Sequence, residues 1–245
     1  MSTPSPEIVK EFAPTGKLRA AINVSNIVLV QQDPATKAVR GITPELAAEL
    51  AKRLGVPIEL VIFPSAGKVF EALPTGAWDV AFLAIEPVRA AEIDFTSPYV
   101  LIEGGYMVRN DSPLKNIEDV DKPGTRIAVG KGSAYDLYLT RNIKHATLVR
   151  ATTGELAIEQ FIKENLEVVA NVKQPIMLYA KAHPGYRVMD GRFQEIRQAM
   201  GTPKGRSKAA AYLRGFVEEM KASGFVADAL KRSGQTDAAV APAGG

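Results

Sequence analysis

Short apolar runs alternate with helical patterns along most of this sequence. In the first half, Leu18 to Val24, Pro57 to Phe63 and Trp78 to Leu83 are predicted strands, and helical patterns separate them. Such alternation is typical of a mostly parallel sheet covered by helices. A second series of the same kind begins at Arg126. The sequence therefore predicts two similar β-α-β units, each with its own sheet.

Local signals predict the bounds of one helix and the state of the C-terminal tail. A helix is expected from Thr43, whose side chain is a candidate cap, to Leu54. Pro44 fits the first helical position, and Gly55 is a typical helix end. The Ala-, Pro- and Gly-rich residues from Thr236 to Gly245 are expected to be frayed.

Composition and charge exclude several classes of protein. Hydrophobic residues make up 46% and charged residues 23% of the chain, which is typical of a folded protein with a full core. The net charge is only +3 and the basic residues are spread out, so we expect no nucleic-acid partner. There is no cysteine, and the only histidines, His145 and His183, are far apart. We therefore expect no metal site, and no sequence motif indicates that a cofactor is bound.

Four sequence stretches occur in an order and spacing that one known family shares. The most specific is the run from Arg89 to Tyr99, which contains Asp94, Phe95 and Pro98 and is similar to the motif Arg-x-x-x-x-Asp-Phe-Ser-x-Pro-Tyr. The other three stretches are 16–19, 41–47 and 127–133. Together they resemble the type 2 periplasmic solute-binding proteins of amino-acid ABC transporters, extracellular solute-binding family 3. The resemblance covers about residues 16–234.

The resemblance implies an α/β fold with two lobes, the type 2 periplasmic-binding-protein fold. Each lobe would be a mixed sheet flanked by helices. Lobe 1 would take residues 1–107 and 199–245, and lobe 2 residues 108–198. The chain would cross between them near Met107 to Arg109 and near Glu195 to Arg197. Two crossings permit hinge closure around a ligand.

Arg89 is the leading candidate for a ligand contact. The family's arginine at this place binds the carboxylate of the ligand. The chemistry is suitable, because a planar guanidinium meets a carboxylate with two parallel hydrogen bonds, which a lysine cannot copy. Taken alone, an arginine at a helix start is more often a surface residue.

The glycine-rich turn before the next helix is a second candidate. Gly132 and Ser133 follow a strand, and Ala134 begins a helix, so free backbone N–H groups there would favour an anion. Ser133 is also a typical helix cap, a role compatible with ligand binding. A dinucleotide site is excluded because Tyr135 occupies the place of the third glycine.

Two departures from the family pattern bear on the ligand. Before Arg89 the family presents serines or threonines, whereas this chain has a stretch with Ala84 and Glu86 and nearly no hydroxyls. In lobe 2, Lys173 lies at or beside the acidic residue that receives an ammonium group in the family. A lysine there would attract a second anion and favour a dicarboxylate. Glu86 could instead restore ammonium recognition, which keeps amino acids open. In lobe 1, Asn26 has either a turn role or a ligand role.

These features together predict the solute-binding component of an ABC transporter. Its ligand would be a small carboxylate-bearing metabolite, an amino acid or an organic or dicarboxylic acid, held between the lobes. The expected partners are this ligand and a membrane permease, and the protein is expected to be a monomer without catalytic residues.

Two alternatives stay open at this stage. Cyclohexadienyl dehydratases share the implied fold, but their chemistry needs a proton donor, for which Glu86 is the only obvious candidate. The second alternative is a cytoplasmic ligand sensor, because Met1 to Pro6 do not form a secretory signal. The resemblance implies a periplasmic location, and a cytoplasmic one is the alternative.

Overall fold

Two units make up the chain in the computed structural model, which describes residues 3–235 and 238–244. Unit 1 consists of Met1–Leu101 and Arg197–Gly245, and unit 2 of Ile102–Ile196. The sequence-based boundaries were 107/108 and 198/199, whereas the units divide at 101/102 and 196/197. The difference arises because both divisions fall inside continuous strands, where no turn residue marks them. The action of these units as hinged lobes stays a prediction.

The strands are mostly short, except for two that contain the divisions between the units. In chain order they are β1 (Leu18–Asn23), β2 (Gln31–Gln32), β3 (Val39–Arg40), β4 (Ile58–Phe63), β5 (Val80–Ala84), β6 (Ile93–Arg109), β7 (Arg126–Gly130), β8 (Thr147–Ala151), β9 (Val168–Val172), β10 (Tyr186–Val188), β11 (Gln194–Pro203) and β12 (Ala239–Val240). Because β6 and β11 contribute residues to both units, the expectation that each unit has a sheet entirely its own is wrong at these strands.

The helices of the described residues follow most of the parallel strands. In chain order they are α1 (Pro6–Phe12), α2 (Ile42–Leu54), α3 (Ala66–Glu71), α4 (Pro87–Ala90), α5 (Ala134–Asn142), α6 (Gly154–Lys163), α7 (Lys173–Ala182), α8 (Ser207–Ala222) and α9 (Phe225–Arg232). Short 3-10 turns lie at Leu73–Thr75 and Ile117–Asp119.

Unit 1 is built on the strand order β4-β1-β5-β11. Strand β1 is parallel to β4 and β5, and β11 is antiparallel to β5. One side of these strands buries an apolar cluster that contains Trp78, which is 1% exposed and donates its indole N–H to the carbonyl oxygen of Val69 at 2.9 Å. Trp78 is therefore a core residue of unit 1.

Unit 2 repeats this plan with the order β6-β9-β7-β8. Strand β7 is parallel to β8 and β9, and β9 is antiparallel to β6. Its core gathers apolar residues of the strands and of α6 and α7, among them Ala128, Phe161, Val169 and Ile176. Each unit therefore has mixed strand pairing with flanking helices, which confirms the predicted fold class.

An equivalent ion pair occurs in each unit. It links the first of the three parallel strands to the residue just before the third. In unit 1, Arg19 donates its backbone N–H, Nε and Nη2 to the carboxylate of Asp79 at 2.9–3.1 Å. In unit 2, Arg126 makes the corresponding three bonds to Glu167 at 2.8–2.9 Å. Asp79 is fully buried and also accepts from Nη1 of Arg206 at 2.9 Å. The repetition supports the two similar units predicted from the sequence.

Two local expectations are wrong. Helix α2 begins at Ile42, with Gly41 at the cap position, and Thr43 is buried inside the first turn rather than capping it. The tail is not frayed at residues 238–241, because β12 pairs with β6 and the N–H of Ala241 donates to the carbonyl oxygen of Tyr99 at 3.1 Å. Residues 236, 237 and 245 lie outside the described residues.

Replacing Gly41 with alanine is expected to lower the free energy of unfolding of unit 1 by about 3 kcal/mol. Gly41 has φ +117°, and an added Cβ would lie 2.5 Å from the carbonyl oxygen of Leu29, which belongs to the backbone and cannot move away cheaply. Denaturant unfolding followed by the fluorescence of Trp78, the single tryptophan, measures the change. The matched control is Gly55→Ala.

The Gly55→Ala variant measures the cost of the left-handed backbone conformation without a steric clash. It has φ +67°, but an added Cβ there would meet no atom within 4 Å. We expect Gly55→Ala to cost about 1 kcal/mol, from the left-handed conformation alone. Equal losses for the two variants would show that the close approach of Gly41 to Leu29 does not matter.

Candidate functional site

The carboxyl ends of the parallel strands of unit 1 share one edge of the sheet. Strands β1, β4 and β5 end at Asn23, Phe63 and Ala84, and their parallel pairing places these ends side by side. Ligands of open α/β sheets bind beyond such an edge, where loops and helix starts bring polar groups together. The candidate residues of unit 1, in the segments after β1 and β5, all belong to this edge.

Arg89 is buried in α4, the four-residue helix that follows β5. Its side chain is 1% exposed, and Nη1 donates to the carbonyl oxygen of Ala84 at 3.0 Å. Burial lowers the pKa of the Arg89 guanidinium to about 10, and the charge of Glu86 counteracts this effect. The guanidinium is therefore charged at neutral pH, and it does not point to bulk solvent. Ala84 contributes its backbone oxygen to holding Arg89.

Glu86 is buried in the same turn of the chain. Its side chain is 3% exposed, and it occupies the cap position of α4 without making a cap hydrogen bond through its carboxylate. Its backbone oxygen accepts from the N–H groups of Arg89 at 3.0 Å and Ala90 at 2.9 Å. One short segment thus buries an acidic and a basic side chain three residues apart.

Asn26 shapes the loop after β1. Its Oδ1 accepts from the N–H of Val28 at 3.3 Å, and its backbone oxygen accepts from Leu29 and Val30 at 3.0 and 2.9 Å. The turn role that the sequence allowed for Asn26 is therefore present. Its ligand role stays a prediction.

In unit 2 the turn from β7 to α5 has the predicted position but not the predicted free amides. The N–H of Gly132 donates to Oδ2 of Asp136 at 2.8 Å, and the N–H of Ser133 donates to the carbonyl oxygen of Gly130 at 3.1 Å. The Ser133 hydroxyl accepts from the N–H of Asp136 at 3.0 Å and caps α5, which begins at the buried Ala134. The free amides expected for an anion site are therefore not present at Gly132 and Ser133, because internal acceptors use both N–H groups. Ligand contact by Gly132, Ser133 and Ala134 stays a prediction.

Sequence reasoning missed Asp136, which holds this turn in place. Its carboxylate is 4% exposed and binds, besides Gly132, the Nε of Arg150 at 2.9 Å. The signal was available, since Ser133 and Asp136 have the Ser-x-x-Asp spacing of a capping box. A positioned carboxylate with its own cation cannot serve as a ready ammonium receptor.

Three segments pack closely at the carboxyl edge of unit 2. An added Cβ on Gly154 would lie 2.6 Å from Oη of Tyr135 and 2.9 Å from Nδ2 of Asn171. Asn171 is 5% exposed; its Nδ2 donates to the carbonyl oxygen of Gly154 at 3.0 Å, and its Oδ1 accepts from the N–H of Val172 at 2.8 Å. The Asn171 side chain is therefore a neutral amide at this edge, and both of its polar atoms are hydrogen-bonded.

Lys173 lies at the carboxyl edge of unit 2, where the carboxylate of Glu103 compensates its charge. It is the first residue of α7, and its Nζ donates to Oε2 of Glu103 at 3.0 Å. Arg192 binds the other oxygen of Glu103 at 3.0 Å. These two cations hold the pKa of Glu103 below its usual value. The ion pair removes much of the attraction that Lys173 was expected to exert on a second anionic group of the ligand.

Neither a metal site nor a membrane-spanning helix emerges from the described part of the chain. Within residues 3–235 and 238–244, no three His, Asp or Glu side chains come together in a way that could hold a metal ion. The helices of these same residues all lack the length or apolar composition needed to cross a membrane.

Comparison with known proteins identifies one family and several distant relatives. The family described as "Bacterial extracellular solute-binding proteins, family 3" matches residues 19–235. The chain is 22% identical to the amino-acid-binding protein AabA of Dichelobacter nodosus over 78% of each chain. It is 23% identical to a glutamine-binding protein of Geobacillus stearothermophilus, over 77% of this chain and 73% of that protein. The crystal structure of a cysteine-binding protein from Campylobacter jejuni has the same fold, with a TM-score of 0.79, 19% identity and 92% of both chains covered.

Proposed function

Because this chain belongs to the bacterial extracellular solute-binding proteins of family 3, we propose that it binds an amino acid outside the cytoplasmic membrane and delivers it to the permease of an ABC transporter. The names of its relatives support the ligand class, since they describe binding of amino acids, of glutamine and of cysteine. All of these relatives are distant in sequence, so the particular amino acid is not carried over from them.

The observation that carries the proposal is the buried guanidinium of Arg89 beyond the end of β5. A buried cation is costly unless an anion or several acceptors compensate it. Nη1 of Arg89 donates to the carbonyl oxygen of Ala84 at 3.0 Å. A carboxylate is the ligand group that suits a guanidinium, because it accepts two parallel N–H bonds from the planar fork.

The proposed mechanism is ligand-driven closure of the two predicted lobes. A ligand that contacts residues of both units would bind the closed state more tightly than the open one, and so shift the population toward it. Small-angle X-ray scattering with and without ligand tests this step, since closure lowers the radius of gyration. A dicarboxylate has less support than an amino acid, because Glu103 already neutralises Lys173.

A thermal-shift panel tests the ligand class. The protein is first unfolded in guanidinium chloride and refolded by dialysis, which removes any ligand bound during expression. The panel contains the twenty L-amino acids and short mono- and dicarboxylic acids. At a concentration of about 100 times Kd, we expect at least one amino acid to stabilise the protein by about 2.7 kcal/mol, which raises Tm by roughly 5–10 °C. Absence of a shift with every compound, confirmed by calorimetric titration, would contradict the proposed function.

A further inference from the structure

The C-terminal part of the chain is bound to β6 at the place where the first piece of unit 1 ends. Residues 238–244, here called the C-terminal strap, contain β12, which pairs antiparallel with Val100 and Leu101. The N–H of Ala241 also donates to the carbonyl oxygen of Tyr99 at 3.1 Å. Because Leu101 is the last residue of that piece, the strap pairs with β6 up to the division between the units.

Lys221 of α8 fastens the strap to β6. Its side chain is 5% exposed, and its Nζ donates to the carbonyl oxygens of Pro242 at 2.9 Å and Pro98 at 3.1 Å. The same ammonium group lies 2.8 Å from Oε1 of Glu218, whose Oε2 accepts from the N–H of Gly244 at 3.2 Å. A buried ammonium group is costly unless acceptors compensate it. Loss of the strap would therefore also remove an acceptor that Lys221 needs.

Strand β6 enters unit 2 directly after these contacts. Its pairing with β9 begins at Gly104, so Ile102 and Glu103 lie between the residues paired with β12 and those paired with β9. Strand pairing restricts the backbone dihedral angles, and hinges are the few residues that absorb a change in them. Building on the proposed function, we propose that the C-terminal strap fixes β6 as far as Leu101 and so confines the bending of this strand during closure to a short stretch that begins at Ile102.

The strap would then contribute to affinity without contacting the ligand. In its absence, residues 99–101 of β6 lose the partners that β12 and Ala241 provide. The unliganded protein would sample a wider range of arrangements, and binding would have to restrict them again. Since ordering backbone dihedral angles opposes binding, we expect removal of the strap to weaken ligand affinity about three- to tenfold.

The test compares the natural chain with a variant that ends at Gln235. Calorimetric titration with the amino acid found in the panel measures Kd, which should rise by the factor given above. Small-angle X-ray scattering should show a larger radius of gyration for the ligand-free variant than for the ligand-free natural chain, and equal radii for the two ligand-bound proteins. The second readout separates a wider range of motion from a change in the binding site.

Hydrogen exchange locates the effect on β6. Alternate residues of an antiparallel pair exchange both N–H···O bonds with the residue opposite, so the bond from Ala241 to Tyr99 identifies Tyr99 and Leu101 as the residues whose amides face the strap. We expect these two amides to exchange about tenfold faster or more in the shortened variant. This measurement needs no ligand.

A second variant, Lys221→Gln, keeps the strap in the chain but removes the ammonium group that fastens it. It should change Kd, the ligand-free radius and the exchange of Tyr99 in the same direction as the shortened variant. Lys231→Gln is the matched control, because Lys231 is an exposed lysine of the neighbouring helix α9, and it should change none of the three. A variant that is only less stable would show a lower Tm and a smaller binding fraction, with an unchanged Kd.

Two results would overturn the proposal. One is a folded shortened variant with the Kd and the ligand-free radius of the natural chain. The other is unchanged exchange at Tyr99 and Leu101. If the shortened variant does not unfold cooperatively, Lys221→Gln decides by the same measurements. Failure of the proposed function is distinct, since the natural chain would then bind no compound of the panel, while exchange and scattering of the ligand-free proteins would still show whether the strap restrains β6.

Discussion

Replacing Arg89 with methionine is expected to weaken binding of the amino-acid ligand about a hundredfold or more. The side chain is 1% exposed, so a carboxylate bound there is shielded from water, and truncating one partner of such a buried charge pair costs about 2–5 kcal/mol. Arg89→Lys keeps the charge but loses the planar fork, so we expect an intermediate loss, about tenfold. Calorimetric titration with the ligand from the panel measures both effects.

The control for this prediction is Arg214→Lys. Arg214 is an exposed residue of α8, so the arginine-to-lysine change that weakens binding at position 89 should leave Kd unchanged at position 214. Far-UV circular dichroism and Tm show whether each variant is folded. If folded Arg89→Met binds the ligand with the affinity of the natural chain, Arg89 does not hold the carboxylate, and the proposed site is wrong.

Replacing Asp79 with asparagine is expected to lower the free energy of unfolding of unit 1 by about 3–5 kcal/mol. The carboxylate is fully buried and binds Arg19 through three N–H groups and Arg206 through one. Removing one member of a buried ion pair is costly because the remaining charges lose their compensation while they stay partly shielded from water. Guanidinium unfolding followed by Trp78 fluorescence reports on unit 1, whose core contains this residue.

Unit 2 supplies a matched control for Asp79. Glu167 accepts from Arg126 the same three N–H bonds that Asp79 accepts from Arg19, but the side chains of Glu167 and Arg126 are 37% and 44% exposed. Water screens an ion pair of this kind, so Glu167→Gln should cost no more than about 1 kcal/mol, measured by circular dichroism. A loss for Asp79→Asn as small as that for Glu167→Gln would mean that burial does not strengthen the unit 1 pair.

Much of the fold follows from local sequence signals. The strands of both β-α-β series, the end of α2 at Gly55 and the capping of α5 by Ser133 depend on residues close together in the chain. The start of α2 was misplaced because φ +117° at Gly41 turns the chain into the helix earlier than a capping threonine would. Strand β6 was not recognised as one strand of 17 residues, because Thr96, Ser97 and Pro98 are typical of loops.

The candidate site was less predictable, because its charges are compensated across long stretches of sequence. Lys173 was identified as an anion-binding group, but its partner, Glu103, is 70 residues away and no local pattern links them. Asp136 lies only four residues from Gly132, and its spacing from Ser133 could have revealed it. Arg89 was found because the run up to Tyr99 carries a specific motif. Its burial, and that of Glu86, depends on tertiary packing that no short pattern encodes.

The order in which the chain is synthesised decides when the buried carboxylate of Asp79 meets each of its two arginine partners. Unit 2 is one uninterrupted segment, Ile102–Ile196, whereas unit 1 is split into an early and a late piece. On the ribosome, unit 2 emerges whole while unit 1 still lacks α8 and the residues of β11 from Arg197 onward. Asp79 meets Arg19 early, but Arg206 is made 127 residues after it. Because domains fold as units during translation, we expect unit 2 to fold while unit 1 still lacks the later residues that complete it.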